Sequence, residues 1–240
     1  MKNLVIVIPA HNEEEIIKNT INKVISFMKT QKMIGVSWQV VVAENGSIDK
    51  TLEILQNFPK SKYFSFLSLK ARSRDQAVKK AWEKIDSDYY MFMDADLATD
   101  IKHIPELIKW LEEGDDIVIG SRKLPDSEVS RPLSRRAISF AFHTLMKLMF
   151  NLKVKDLQCG FKSINKKVRD EIIPKTKYSE EGFLDTEMLV LASKKNYKIK
   201  EIPVKWDDSR DSKFKIGRTI FAVFKSSFKI KRDLILGKYG

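Results

Sequence analysis

Residues 89–97 read Tyr89-Tyr90-Met91-Phe92-Met93-Asp94-Ala95-Asp96-Leu97, five apolar or aromatic side chains followed by two carboxylates one residue apart. An uncharged run of this kind suits a strand buried on both faces, and parallel strands deliver functional residues at their carboxyl ends. Strand side chains alternate with period two, so Asp94 and Asp96 point roughly the same way. Two hard, anionic oxygen ligands at a strand tip suit Mg²⁺ or Mn²⁺. These ions take few carboxylates and complete their coordination with substrate phosphate and water. A solvated acidic turn is the competing reading of an isolated Asp-x-Asp. The position directly after a strand-like run makes Asp94 and Asp96 the candidate metal ligands.

Outward from this stretch the pattern repeats. Leu4–Ile8 is apolar, and helical periodicity follows over Glu14–Thr30. Gln39–Ala43 precedes a helix from about Asp49 to Gln56, and Phe64–Leu69 precedes one over Arg74–Lys84. Tyr89–Met93 precedes a helix from about Ile104 to Glu112 with Pro105 in its first turn, and Ile117–Gly120 is a fifth strand. This alternation predicts an α/β fold: a Rossmann-like, mostly parallel wound sheet with helices on both faces. The second half is less regular. Arg135–Leu152 has helical spacing, with Ser139, His143, Lys147 and Asn151 on one face and a wide apolar arc elsewhere. Ile216–Leu236 carries Phe221, Phe224 and Phe228 on one face and Arg218, Lys225, Lys229 and Arg232 on another. That composition fits a helix lying on an anionic membrane, and equally an amphipathic helix closing the domain. The expected organisation is a catalytic domain over 1–215 and a basic amphipathic C-terminal helix over 216–240.

The 240 residues suffice for one large α/β domain, and a hydrophobic content of 43% can fill its core. The single cysteine, Cys159, rules out an intrachain disulfide and fits a reducing compartment. His11, His103 and His143 lack zinc spacing. No apolar run reaches the roughly 18 residues needed to span a bilayer. Leu4–Ala10 is too short for a signal-peptide core and runs into Glu13-Glu14-Glu15. The formal net charge of +12 points to an anionic partner: nucleic acid, anionic lipid or a phosphorylated substrate.

The glycines form neither G-x-G-x-x-G nor a Walker loop, and no G-x-S-x-G elbow is present. A metal-dependent reaction on a phosphorylated substrate is the best supported chemistry, with acids for a cation and bases for phosphate. The candidate bases are Arg72 and Arg74, Arg122 after the fifth strand, the Arg131/Arg135/Arg136 cluster, and Arg210 with Lys213. Arg122 is expected at the same sheet edge as Asp94. Ser47 reads as the N-cap of the following helix with Asp49 in its first turn, which gives Ser47, Asp49 and Thr51 structural roles.

Taken in order, these segments resemble the motifs of family 2 glycosyltransferases with the GT-A fold. Pro9-Ala10-His11-Asn12-Glu13 resembles their Pro-x-x-Asn-Glu opening, and Glu44-Asn45-Gly46-Ser47-Ile48-Asp49-Lys50-Thr51 their Asp-Asp-Gly-Ser-x-Asp-x-Thr segment. Asp94-Ala95-Asp96-Leu97 resembles their metal-binding DxD motif, and Gly120-Ser121-Arg122 also recurs there. Gln158-Cys159-Gly160-Phe161-Lys162, Phe183-Leu184-Asp185-Thr186-Glu187 and Arg210-Asp211-Ser212-Lys213 look like blocks of the polyprenyl-phosphate sugar synthases. That subgroup comprises the dolichyl-phosphate glucosyltransferases and dolichol-phosphate mannose synthases. Two departures stand out. Glu44-Asn45 replaces Asp-Asp, and Arg72-Ser73-Arg74-Asp75-Gln76-Ala77 stands where many relatives have a glycine-rich Arg-Gly-Lys-Gly-Gly-Ala stretch.

The resemblance implies an inverting glycosyltransferase that moves a sugar from a nucleotide-diphosphate donor to a polyprenyl or dolichyl monophosphate. The Gln-Cys-Gly-Phe-Lys block looks more like the glucosyl branch, which favours UDP-glucose, with GDP-mannose second. Asp94 and Asp96 are the implied ligands of Mg²⁺ or Mn²⁺, and Asp96, Arg122 and Asp185 the implied catalytic residues. Pro9, Ala10, Asn12, Glu13, Glu44 and Asn45 would line the nucleotide-sugar side, together with Arg72, Arg74, Asp94 and Ala95. Arg122, Arg131, Arg135, Arg210, Ser212 and Lys213 would hold the acceptor phosphate. A phosphate monoester, with a second pKa of about 6, is largely ionised near neutral pH and attacks without a strong base. Transfer to a saccharide hydroxyl would need a base, and Asp185 is the candidate for it. The lipid acceptor implies a protein held peripherally on the cytoplasmic face of a membrane. A non-enzymatic nucleic-acid-binding protein would fit the charge but has no use for two aspartates at a strand tip, so no nucleic-acid partner is expected.

Overall fold

The computed structural model describes residues 1–31, 33, 35–70, 73–130, 144–207 and 216–239, with 216–224 described by backbone alone. Strand and helix alternate from the start: β1 (Lys2–Ala10), α1 (Ile17–Thr30), β2 (Val36–Glu44), α2 (Thr51–Gln56), β3 (Phe64–Ser68), α3 (Arg74–Lys84), β4 (Tyr89–Met93), α4 (Ile104–Glu112) and β5 (Ile117–Ser121). There follow β6 (Glu128–Ser130), α5 over 144–150, β7 (Phe161–Asn165), α6 (Lys166–Glu171), α7 (Leu184–Lys194), β8 (Ile199–Pro203), β9 (Lys205–Asp207) and α8 (Ile216–Ile235).

Seven strands form one sheet in the order β3-β2-β1-β4-β7-β5-β8, and β6 pairs with β9 in a separate ribbon. The large sheet is parallel except for β7, which runs antiparallel to both β4 and β5. The carboxyl ends of β1, β2, β4 and β5 therefore share one edge, as the alternating pattern predicts. The reversed β7 begins at that edge. Met93 pairs with Phe161, which brings Gly160 beside Asp94.

The period-two geometry of β1 divides the core. Leu4, Ile6 and Ile8 pack on one face with Ile17, Ile21 and Val24 of α1 and Leu107 of α4. Val5 and Val7 face Ala77, Ala81 and Trp82 of α3 and Met188 of α7. Each fully buried aliphatic side chain contributes about 1.5–3 kcal/mol, so two such layers carry the fold.

The C-terminal elements join the second layer. Ser226, Ser227, Ile230 and Asp233 of α8 are buried, whereas Phe228, Ile235 and Leu236 are 61%, 75% and 58% exposed. In α5, Met146 and Phe150 are buried and Leu148 is 79% exposed, so the broad apolar arc read from the sequence is split between core and surface. Residues 135–143 of that segment, and the Phe221 and Phe224 side chains, lie outside the description. Among the described residues no helix is long and apolar enough to cross a membrane.

Candidate active site

The loops after β1 and β2 exchange hydrogen bonds. The Asn12 amide donates to Ser47 Oγ (3.1 Å) and the Ile48 amide to Asn12 Oδ1 (2.9 Å). Glu13 N donates to Thr51 Oγ1 (2.8 Å), Glu14 N to Asp49 Oδ2 (3.1 Å), and Lys50 N to Glu14 Oε2 (2.9 Å). Asn12 turns the chain with φ of 56°, a left-handed conformation that asparagine tolerates better than most residues. This seam corrects two expectations. Helix α1 starts at Ile17, because Glu13 and Glu14 are committed to the loop. Ser47 does not cap α2; Asp49 Oδ1 instead accepts from the Thr51 amide at 2.9 Å.

Glu44 is tied into the same loops: its side chain accepts from Ser47 N (2.6 Å) and Ser68 Oγ (2.8 Å) and the residue is 1% exposed, so it braces its own loop. Pro9 and Ala10 end β1, and Ala10 O accepts from Asn45 N at 2.9 Å. Asn45 is buried, and its Oδ1 has no hydrogen-bond partner among the described residues.

The Asp94–Leu97 turn projects from the tip of β4. Leu97 N donates to Asp94 O at 3.2 Å, and Leu97 sits at φ of 54°, a strained conformation for a side chain of its size. Thr20 of α1 anchors the turn by donating to Ala95 O at 2.7 Å. Ala98 N donates to Asp96 Oδ1 at 3.1 Å, and Asp96 is exposed. Asp94 is half-buried and lies directly over Gly160. A Cβ built on that glycine would fall 1.8 Å from Asp94 Oδ2.

Three carboxylates meet at Arg74, the first residue of α3. The helix is capped by Ser73 Oγ, which accepts from Gln76 N at 3.1 Å. Arg74 Nη1 reaches Asp94 Oδ1 at 2.8 Å, Nη2 reaches Asp185 Oδ2 at 3.0 Å, and Nε donates to Asp75 Oδ1 at 3.0 Å. Asp75 Oδ2 in turn accepts from Leu184 N at 3.0 Å and so caps α7. Asp185, in the first turn of α7, also pairs with Lys162 Nζ at 3.3 Å. Lys162 is fully buried, donates to Cys159 O, and lies 5.6 Å from the centre of the Phe92 ring. Burial pushes the Asp185 carboxyl up to about 6; Lys162 and Arg74 pull it down, and Asp75 pushes it up.

Arg122 stands at the shared sheet edge, but its side chain is 14% exposed and forked onto Asp156, Nε to Oδ2 at 2.7 Å and Nη2 to Oδ1 at 2.9 Å. Burial alone would raise the Asp156 carboxyl; the adjoining Arg122 charge outweighs it and holds that carboxyl well below its ordinary range. Glu201 on β8 accepts from the amides of Lys155 and Asp156 and fixes their loop. Arg122, the expected clamp for an incoming phosphate, has its Nε and Nη2 on Asp156, whose loop leads to Gly160. Arg72, Arg131, Arg135, Arg210, Ser212 and Lys213 lie outside the described residues.

Behind the site, the segment 178–184 is gripped from two sides. From α3, Ser73 Oγ donates to Ser179 O (2.5 Å) and Gln76 Nε2 to Glu180 Oε1 (2.6 Å). From α8, Ser226 and Lys229 bind Glu181, and Asp233 accepts from Tyr178 Oη at 2.8 Å. Glu187, fully buried, accepts from the amides of Lys177 and Tyr178 and from Tyr239 Oη at 2.6 Å.

The residues fit a divalent cation. Asp94 and Asp96 supply hard oxygens, Gly160 leaves the Asp94 carboxylate its space, and no group of three acidic, histidine or cysteine ligands occurs among the described residues. Such a donor pair suits an ion that takes its other ligands from diphosphate and water. Sequence reasoning quoted Asp75, Gly160, Lys162 and Glu187 only within motif blocks, with no role for any of them, and did not reach Asp156. Lys162 carried a usable signal: a lone charge inside a strand requires a buried partner.

Comparison with known proteins follows the same lines. The chain is 31% identical to glycosyltransferase AglD of Haloferax volcanii over 91% of its length, and spans 35% of that protein. It is 29% identical to the dolichyl-phosphate beta-glucosyltransferase of Saccharomyces cerevisiae over 98% of its length, and spans 76% of that protein. Mannosyl-3-phosphoglycerate synthase from Rubrobacter xylanophilus superimposes with a TM-score of 0.68 at 16% identity, covering 98% of this chain and 75% of that one. Glucosyl-3-phosphoglycerate synthase from Mycobacterium tuberculosis, solved with Mn²⁺, UDP and its glucosylated product, superimposes with a TM-score of 0.58 at 14% identity, covering 94% and 80%. These likenesses establish the GT-A-like fold. The model described as glycosyl transferase family 2 matches residues 5–173, and the chain belongs to that family.

Proposed function

We propose that this chain transfers glucose from UDP-glucose to the phosphate of a polyprenyl or dolichyl lipid, with inversion, using Mg²⁺ or Mn²⁺. The observation that carries the reading is the similarity to a dolichyl-phosphate beta-glucosyltransferase over 98% of the chain. An ionised oxygen of the lipid phosphate attacks C1 of the glucose opposite the diphosphate. The C1–O bond to UDP breaks, its electron pair leaves with UDP, and no proton has to be removed from the acceptor. The α-linked donor thereby gives a β-linked product.

Asp94 and Asp96 would hold the cation, which when bound offsets the charge that builds on the departing diphosphate. Asp185, buried and steadied by Lys162, would accept a hydrogen bond from a hydroxyl of the sugar. Arg72 serves the donor phosphates, and Arg131, Arg135, Arg210, Ser212 and Lys213 serve the acceptor phosphate; arginine's planar fork suits phosphate oxygens. The lipid tail stays in the bilayer, so the protein works at a membrane surface, on its cytoplasmic face. Support for this comes from α8, whose exposed face combines Lys225, Phe228, Arg232 and Ile235.

The test is a donor and acceptor screen. Purified protein with Mn²⁺ receives radiolabelled UDP-glucose or GDP-mannose and a short polyprenyl phosphate, the free polyprenol or an oligosaccharide. The expected product is an acid-labile β-glucosyl phosphate lipid. Mannosyl transfer, or transfer to the alcohol or oligosaccharide in its place, would overturn the reading.

A further inference from the structure

The Asp94 carboxylate has a close neighbour at each oxygen. Oδ2 is packed against Gly160, close enough that a Cβ there would lie at 1.8 Å. Oδ1 is held by Arg74 Nη1 at 2.8 Å. The rest of the guanidinium is fixed by nearly buried partners, Asp75 at 2.9 Å and Asp185 at 3.0 Å from Nη2. Nη1 therefore makes the one bond of this fork that faces a half-exposed carboxylate, with Asp94 and Arg74 side chains 36% and 39% exposed.

We propose that Arg74 competes with the divalent cation for Asp94, and so couples cation binding to nucleotide binding. The inference rests on Asp94 and Asp96 being the cation's ligands. The charges run in the same direction. Asp75, Asp94 and Asp185 carry three negative charges against the positive charges of Arg74 and Lys162. A dication placed on Asp94 repels the guanidinium beside it. A diphosphate relieves that repulsion, because it bonds the ion and offers Nη1 new oxygens while Nε and Nη2 stay on Asp75 and Asp185. Arg74 thus penalises the cation alone and favours cation and diphosphate together. By linkage, each tightens the other by the same factor.

The test is Mn²⁺ binding followed by electron paramagnetic resonance, with and without UDP, on the full chain without acceptor. Arg74→Gln should bind Mn²⁺ alone about tenfold more tightly than wild type, the range expected for releasing one charge-assisted bond. The enhancement by UDP should shrink by about the same factor. Arg74→Lys keeps a charge but loses the fork, and should fall between the two. Thermal melting of each variant checks that Asp75 still caps α7. Unchanged or weaker Mn²⁺ binding by Arg74→Gln, or an undiminished UDP enhancement, overturns the proposal. Asp94→Asn separates the two levels. If it binds Mn²⁺ as wild type does, the assignment of the cation site itself fails; if it abolishes binding while Arg74→Gln has no effect, only the competition fails.

Discussion

Substituting Gly160 by alanine tests the active-site geometry with one methyl group. The added Cβ would meet Asp94 Oδ2 at 1.8 Å and Cγ at 2.5 Å. An ordinary carbon–oxygen contact is about 3.3 Å, so the carboxylate must withdraw by about 1.5 Å. The atoms in the way belong to the end of a flexible, half-exposed side chain, and Gly160 has no positive φ that would penalise a Cβ. The fold should therefore absorb the change at a cost of about 1 kcal/mol, by rotation of Asp94. Catalysis should not. A misplacement of about 1 Å commonly costs on the order of a hundredfold in rate, and the proposed ligand of the cation is displaced here by more than that. The assay is initial-rate glucosyl transfer at saturating Mn²⁺, paired with thermal melting followed by circular dichroism. The expected outcome is a rate loss of about a hundredfold with a melting temperature within a few degrees of wild type. Activity within threefold of wild type would refute the placement of Asp94. A collapse in melting temperature would show that Gly160 serves packing.

Asp96→Asn should abolish transfer while leaving the melting curve intact, since it removes an exposed charged ligand; full activity, or wild-type activity in excess chelator, contradicts metal dependence. Asp156→Asn should destabilise the protein by about 3–5 kcal/mol in urea titrations, because it strands a buried arginine; a loss below 1 kcal/mol would mean that Arg122 finds other partners. The folded pKa of Asp185, about 6, lies above the ordinary aspartate value, so protonation favours the fold. Its stabilising contribution is complete below about pH 4 and is lost as pH rises through about 6, while transfer, which on the role proposed for Asp185 needs the ionised form, should fall as pH drops through the same range. A pH–rate profile whose acidic limb survives in Asp185→Asn excludes this group as its source. Phe228→Ser should weaken co-sedimentation with anionic liposomes with little change in stability, because the ring is 61% exposed; an unaltered liposome affinity would exclude this face as the membrane contact.

The first five strands were legible because each is an apolar run closed by turn or helix signals, and their shared edge follows from right-handed crossovers alone. β7 was not. Phe161-Lys162-Ser163-Ile164-Asn165 alternates poorly, and the partner that makes its buried lysine tolerable, Asp185, lies far along the chain. The same limit applies to the site. Asp94 and Asp96 stand out by position as candidates, but Arg74 meets Asp185 across 111 residues, and no local pattern encodes that meeting. Glu44 and Arg122 show the complementary limit: a charged residue after a strand looks the same in sequence whether or not it is also bonded to Ser68 or Asp156.

The double grip on residues 178–184 has a mechanical consequence. Helix α8 presents Phe228 and Ile235 outward while Lys229 and Asp233 hold Glu181 and Tyr178, and the same segment is tied through Ser179 and Glu180 to the turn that starts α3. Displacing α8 would load its bonds at Glu181 and Tyr178 together with those to α5 at Met146 and Met149, and through the first pair the helix starts that carry Arg74 and Asp185. A membrane surface under this helix, as proposed, would therefore set a boundary condition on the spacing of the carboxylates some way inside the protein.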